Sequence, residues 1–463
     1  METKELCWVA VAAMSLTAFS GTYDRAAADA KRDAIEAEVK RAEARVDAAQ
    51  AKLKKTVSLA AYAALAQEKD GRKIWSAALA KALAENEIVK IPAAEEPYWL
   101  DRTVMVPSNR RIEADAGAEI AAAPGFVEAL LKNSAWKDGV KSPKKGFRND
   151  NIAVVGGIWN MMADTRIVEH DAAMMFSNVK GLAIRDLKIE RGREFAIQIS
   201  DAEDVTCERV EFVNCFADGV HVNGPVKHIA VRKLSGKVGD DFVALNAFDW
   251  PGCSHDFGPI SYALVEDISL KTGSKTPETD IVKSMRLLPG WHKYEDGSEV
   301  ECMIENVIVR RFNGLRNFKV YFQSFPYKLA EGPDPYHYAR RKPGRGNNLF
   351  FEDLAVDLDH PPDMLPPCRE GDPERGHSAC WELGADIGNI YIRNVDVFAG
   401  LNRYPHLKVA MIGPKTYGLP GREAGDPYMD ITVGKLVLDD VRIHGGRMDN
   451  SIAVYSFHDI NHD

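Results

Sequence analysis

The chain has 463 residues, 45% hydrophobic and 27% charged, with a formal net charge of −9 and a pI near 5.8. That length is enough to bury a large core, and the acidic balance excludes a basic nucleic-acid surface. An anionic glycan as partner would need basic residues gathered locally.

The first segment, METKELCWVAVAAMSLTAFS, holds an apolar run from Leu6 to Phe19. It is too short to span a bilayer but suits the core of a secretory leader, and Ala18-Phe19-Ser20 offers a small-x-small cleavage site. Residues 1–22 are therefore expected to be a signal peptide, the mature protein to be secreted or periplasmic, and no stable membrane span to remain. Between 26 and 58, Ile35, Val39, Ala42, Val46, Ala49 and Leu53 recur at fours and threes. That spacing predicts an amphipathic helix lying on a neighbour, or a short coiled coil. A second helical run covers Ile74 to Glu85. Residues 23–88 are expected to be a helical N-terminal segment and cap, and 89–463 the main domain.

With Cys7 removed, six cysteines remain: Cys207, Cys215, Cys253, Cys302, Cys368 and Cys380. None has CxxC or Cys/His metal spacing. Cys368 and Cys380 bracket a Pro/Gly-rich loop that an oxidising compartment would allow to be bridged; buried free thiols are the alternative.

From residue 150 a pattern apolar-x-apolar-x-(Asp/Asn)-apolar-x-apolar dominates. It reads Leu182-Ile184-Asp186-Leu187-Ile189, and returns at Ala263, Cys302, Leu349, Ile390 and Leu436, with looser copies from Ile152, Val205 and Ile229. The copies at 182, 205 and 229 are 23 and 24 residues apart, and later steps of 34 to 47 imply loops inserted into one coil. Second strand-like runs lie between copies: Phe195–Ser200, Asp218–Asn223, Asp240–Asn246, Lys283–Leu288, Phe318–Gln323 and Cys380–Gly384. Several short strands per turn without intervening helices predict an all-β right-handed parallel β-helix, a solenoid, preceded by the helical segment. A sandwich would not keep one motif in phase over so many copies.

Coils of a solenoid stack at about 4.8 Å, so residues one coil apart become neighbours. Inward pairs Ile197/Ile199, Val220/Val222, Val243/Leu245 and Met285/Leu287 set the register. Two residues before each pair stand Phe195, Asp218, Asp241 and Lys283. Asp218 and Asp241 should therefore stack, with Asp240 beside them. Like charges this close push one carboxyl toward protonation, which creates an acid beside a base. Hydrolysis of a glycosidic bond needs that pair. A single aspartate at a strand corner is more often an N–H acceptor of a turn. The same register predicts that His221 and Arg286 point outward with Gln198 on the groove floor. Trp250, Trp291, Tyr294, Tyr321, Tyr336 and Tyr338 fall in the long insertions, where they can stack on sugars or anchor loops.

The stretch REFAIQIS…FADGVHVNGPVKHIAVRKLSGKVGDDFVALN resembles the core of the polygalacturonase-type glycoside hydrolases of family 28, and PYWLDRTVMVPSNRRIEADAGAEI resembles their opening segment. That family carries Asn-Thr-Asp, then Gly-Asp-Asp, Gly-His-Gly and Arg-Ile-Lys. Asp218 in Ala217-Asp218-Gly219 matches the first aspartate, and Gly239-Asp240-Asp241 matches the second motif. The resemblance implies an inverting polygalacturonase-like enzyme with Asp241 as general acid. Asp218 and Asp240 would then hold and deprotonate water. Gly-His-Gly is missing, His255 lies nearby in another setting, and Arg-Ile-Lys becomes Arg286-Leu287-Leu288. His221, Asn246, His255, Lys283 and Arg286 are the expected sugar contacts.

The resulting expectation is an exported hydrolase of a pectin-like acidic polysaccharide, needing neither metal nor cofactor. Two rivals stand beside it. A lyase or epimerase on the same scaffold would use a Lys/Arg base and often Ca²⁺, for which Lys283 and the three aspartates qualify. A non-catalytic glycan-binding β-helix would use the aspartates structurally.

Overall fold

The computed structural model describes residues 23–136, 148–164, 171–249, 254–270, 284–294, 296–315, 317–321, 343–357, 380–398, 408–412, 431–444 and 449–454. The expected signal peptide, Cys253, Cys368, Trp250, Tyr336, Tyr338 and Lys283 lie outside these residues.

The strands form one long parallel array, and the fold is a right-handed parallel β-helix. Each full coil contributes to three faces. Face A runs from Val104–Val106 through Asp241–Asn246, Ser284–Leu287 and Asn317–Tyr321 to Asp449–Val454. Face B begins at Thr56–Ser58, which pairs in parallel with Ile88–Ile91, and ends at Val433–His444. Face C carries the later part of the same long strands, such as Leu187–Glu190 against Val210–Val213. Solenoid pairing thus sets in before residue 89, inside the segment expected to be cap. The second helix, α2, occupies Ser76–Glu85, with Arg72–Ile74 a strand ahead of it.

The repeated Asp/Asn has a conformational reason. Asp186, Asp267, Asp353, Asn394 and Asp440 all have φ between 51° and 58°, in the left-handed region that turns the chain from face B to face C. Asn and Asp tolerate that region better than most side chains. The looser copies place Gly156, Arg209 and Lys233 at this bend. The copy at Cys302 is displaced by one bend. Asn306 lies level with Tyr262 and Asn348 at the turn from face A to face B, and Arg311 fills the place level with Asp267 and Asp353. Both bends need an αL residue followed by apolar alternation, so the two are indistinguishable by pattern alone.

The interior is filled by stacked columns. Ile197, Val220, Val243, Met285, Phe318 and Trp381 follow one another in register and are all essentially inaccessible. Phe318 stacks on Trp381 with ring centroids 5.3 Å apart. Cys207, Cys215, Cys302 and Cys380 are buried free thiols in this core. Burial pushes Cys207, Cys215 and Cys380 up to about 12.

The helix expected over 26–58 is α1, Arg25–Gln50. It lies along the outside of face B, its N-terminal end at the last coils and its C-terminal end at the first. Ala28, Ile35 and Val39 pack on Ala230, Leu264, Ile308, Phe350, Tyr391 and Val437, and Val46 packs on Ala153 and Ala183. Beside that apolar column runs another, Arg185, Glu208, Arg232, Glu266, Arg310, Glu352, Arg393 and Asp439, in which charge alternates at every coil. The helix answers it with side chains of its own. Asp29 pairs with Arg393, Arg32 with Glu352, Glu36 with Arg310, Glu43 with Arg232 and Asp47 with Arg185. Alternation lets each charge meet an opposite one both along the column and across to the helix.

Candidate active site

Face A presents the cluster, and the glycines of its two motifs are required by contact between coils. A side chain at Gly239 would meet Phe216 O at 2.2 Å, and one at Gly219 would meet Phe242 O at 2.7 Å. Both aspartate segments thereby run closer to the adjacent backbone than any residue with a Cβ allows.

Asp218 and Asp241 lie on adjacent coils. Asp241 N–H donates to Asp218 Oδ1 at 3.0 Å, and carboxylate oxygens of Asp218, Asp240 and Asp241 lie within 4.8 Å of one another. The inward pairs keep the expected register: Ile197 with Val220 and Val243 with Met285. Gln198, His221 and Arg286 share one column, as predicted. The coil holding Asp241 contains an irregularity after that residue, so Ser284, not Lys283, stands level with it.

The electrostatics separate the two adjacent aspartates. Burial, then the charges of Asp241 and Asp218, push Asp240 up to about 6. Burial alone would also raise Asp241. The charges of Arg286 and Lys319 outweigh it, joined by hydrogen bonds from Ser284 and Lys319, and pull Asp241 down to about 2. Arg286 Nε is 2.7 Å from Asp241 Oδ2, and its Nη2 is 3.3 Å from Asp218 Oδ2. Lys319 Nζ is 3.3 Å from Asp241 Oδ1, the same oxygen that accepts from Ser284 Oγ. Asp240 is the member of the trio that keeps partial contact with solvent, whereas Asp218 and Asp241 are buried.

His221 departs from expectation. It shares the outward column yet is fully buried, its ring stacked on Phe195 at 3.7 Å. Nδ1 lies 2.7 Å from Asp218 Oδ2 and Nε2 lies 3.1 Å from Asp249 Oδ2. Asn246 is buried too, donating to Asp249 Oδ2 at 2.6 Å. Both contact Asp249, and the segment Ser254–Phe257 reaches the same end of the face through His255 N–H, which donates to Asn223 Oδ1 at 3.5 Å. His255 is half-buried, 4.5 Å from the Trp136 ring. Tyr294 is a loop anchor, buried, with its hydroxyl donating to Phe257 O at 3.2 Å.

Sequence reasoning missed Ser284, Lys319 and Asp249. Lys319 follows from the register two coils beyond Ala244, in the column of Arg286. Asp249 lies beyond the strand end, and no periodicity points to it. The trio could hold a cation by spacing, but Asp241 already faces two, Arg286 and Lys319. Calcium would have to displace both, so the side chains present fit a metal-free site better.

Arg286 is paired with both Asp241 and Asp218, and its replacement sorts two roles. Arg286→Ala is expected to raise Asp241 from about 2, moving the acidic limb of activity to higher pH. If the guanidinium also grips a uronate, KM rises strongly and the rise is larger at low ionic strength. An unchanged KM at low salt would remove substrate from its role.

No protein-family model matches the chain, and no match is found among the curated proteins. Solved structures do match. The hyperthermoactive exopolygalacturonase from Thermotoga maritima is 13% identical over 90% of this chain and 96% of that one, with a TM-score of 0.50. The surface protein and adhesin PfbA of Streptococcus pneumoniae is 10% identical over 86% of this chain and 99% of its own, also at 0.50. The endo-xylogalacturonan hydrolase from Aspergillus tubingensis is 12% identical over 84% and 98%, at 0.48. At these identities the likeness shows the fold. An enzyme and an adhesin share it, so function has to be argued from the site. No described helix is long and apolar enough to cross a membrane.

Proposed function

We propose that the chain is an exported glycoside hydrolase that cleaves a pectin-like acidic polysaccharide. One observation carries this reading: of two adjacent aspartates, Asp241 is buried and held by Arg286 Nε at 2.7 Å and Lys319 Nζ at 3.3 Å, whereas Asp240 keeps contact with solvent beside two like charges that favour its protonated form. A proton donor and a permanent carboxylate are the two groups glycoside hydrolysis requires. Asp240 is the general acid and protonates the leaving oxygen. This reverses the assignment suggested by the family resemblance, since Asp241, locked by Arg286 and Lys319, has no proton to give near neutral pH. Asp218 and Asp241 orient and deprotonate the attacking water. The cations at the trio, Arg286 and Lys319, favour a sugar bearing a carboxylate.

Inversion at the anomeric carbon is taken from the resemblance. The carboxylate oxygens are within 4.8 Å, closer than the roughly 6.5–9.5 Å common among inverting enzymes. Burial of Asp218 and Asp241 favours the rival in which the cluster only shapes a glycan-binding surface.

A single set of assays separates the readings. Incubation with pectic and algal polysaccharides is expected to release reducing ends without the absorbance of an unsaturated uronide, and proton NMR of the first product is expected to show the inverted anomer. An unsaturated product would make the chain a lyase, a retained anomer would replace direct attack by a glycosyl-enzyme, and absence of turnover would favour the binding protein.

A further inference from the structure

Behind the trio, the two nitrogens of His221 are both engaged by carboxylates, Nδ1 with Asp218 at 2.7 Å and Nε2 with Asp249 at 3.1 Å. A neutral imidazole has only one N–H. The other nitrogen would then meet a carboxylate oxygen lone pair to lone pair, in a site where none of the three side chains is more than 1% exposed. Two protons on the ring remove that conflict. Asn223 Nδ2 is 3.3 Å from the same Nε2, a longer contact than that to Asp249, and it has a second acceptor in Asn246 O at 3.4 Å, while its Oδ1 accepts from Gln198 Nε2 at 3.0 Å.

We propose that Asp249 and His221 form a buried relay that positions Asp218, with His221 working in its doubly protonated form. The relay rests on the hydrolase reading for its purpose, though not for its existence. Asp249 is steadied by Asn246, 2.6 Å away, and fixes one side of the imidazole. The ring cannot tilt, because Phe195 is stacked on its face at 3.7 Å with 12° between planes. Nδ1–H then holds Asp218 Oδ2, while Asp241 N–H holds Oδ1 at 3.0 Å and Arg286 Nη2 approaches Oδ2 at 3.3 Å. Asp218 is thereby fixed in rotation with cationic donors on one oxygen, the condition for a carboxylate that orients water. Electrostatics agree. Burial alone would lower His221, but the hydrogen bonds and charges of Asp218 and Asp249 outweigh it and raise the ring to about 9. Its pairing therefore contributes stability that is complete below the ordinary value of 6.5 and is lost as pH rises through about 9. His221 and Asp249 are positioning residues, since neither reaches a sugar.

Two readouts test the relay. In ¹⁵N-labelled full-length protein at pH 7.5, the histidine spectrum is expected to contain one ring protonated on both nitrogens that disappears in His221→Gln. A His221 ring with one bare nitrogen at that pH overturns the proposal, whatever the protein is found to cleave. On a substrate that is turned over, Asp249→Asn and His221→Gln are expected to lower kcat roughly 10–100-fold with KM within about twofold. A lowered melting temperature with unchanged kcat would mean that the pair is only structural. If no glycan is cleaved, the hydrolase reading fails while the NMR result still decides the relay.

Discussion

Asp240→Asn is expected to lower kcat on natural polysaccharide by about 10³-fold while KM stays within a few-fold, the loss typical of removing a general acid. Proton donation matters only when the leaving oxygen is basic. The same variant should therefore keep most of its activity on an aryl glycoside with a good leaving group. In the unsubstituted protein, activity should fall as pH rises through about 6, where Asp240 ionises, and that limb should vanish in Asp240→Asn. Asp241→Asn should behave differently, removing the carboxylate that Arg286 Nε and Lys319 share, with Arg286 keeping only Asp218, and lowering stability along with rate. The two aspartates also act on stability with opposite signs. Asp241, depressed to about 2, contributes stability present above the ordinary 3.8 and lost as pH falls through about 2. Asp240, raised, favours the folded state at low pH and loses that contribution as pH climbs from 3.8 to about 6. Should Asp241→Asn, and not Asp240→Asn, show the leaving-group dependence, the assignment of acid and base is the reverse.

The largest expected loss of stability is on the other side of the molecule. Val39 of α1 is fully buried against face B, whereas Ala44 on the same helix is exposed. Val39→Asp would bring a carboxylate among Leu264, Ile308 and their neighbours with no cation provided for it. A cost of about 4 kcal/mol or more is expected, on the scale of a buried unpaired charge. Ala44→Asp carries the same charge change and should cost under about 1 kcal/mol, mainly in helix propensity. Thermal or denaturant melts of the pair measure this directly. Equal effects would mean that α1 is not seated on face B in solution. Release of the helix would uncover an apolar column running from Ala230 to Val437, so aggregation of Val39→Asp is the expected companion observation.

Several features follow from the sequence alone because they repeat. Apolar alternation broken by a recurring Asp or Asn points to strands joined at left-handed bends, and spacings of 23 and 24 residues point to coils stacked in register. From that register alone, Asp218 and Asp241 become neighbours and Gln198, His221 and Arg286 share a column. The alternating charges from Arg185 to Asp439, and the helix side chains that answer them, emerged only from the structural register, because the motif at Cys302 would align Glu305 where Arg310 stands. Tertiary structure decided what lies off the repeat. A single irregular residue after Asp241 exchanged Lys283 for Ser284 at its side. Phe195 stacks over the ring of a histidine in the outward column, which is buried, and Asp249, outside any strand, supplied its second partner. Periodicity reports which face a side chain starts from, but not what later covers it. The division of labour between Asp240 and Asp241 is of this second kind. It depends on where Arg286 and Lys319 place their charges, one and two coils further on.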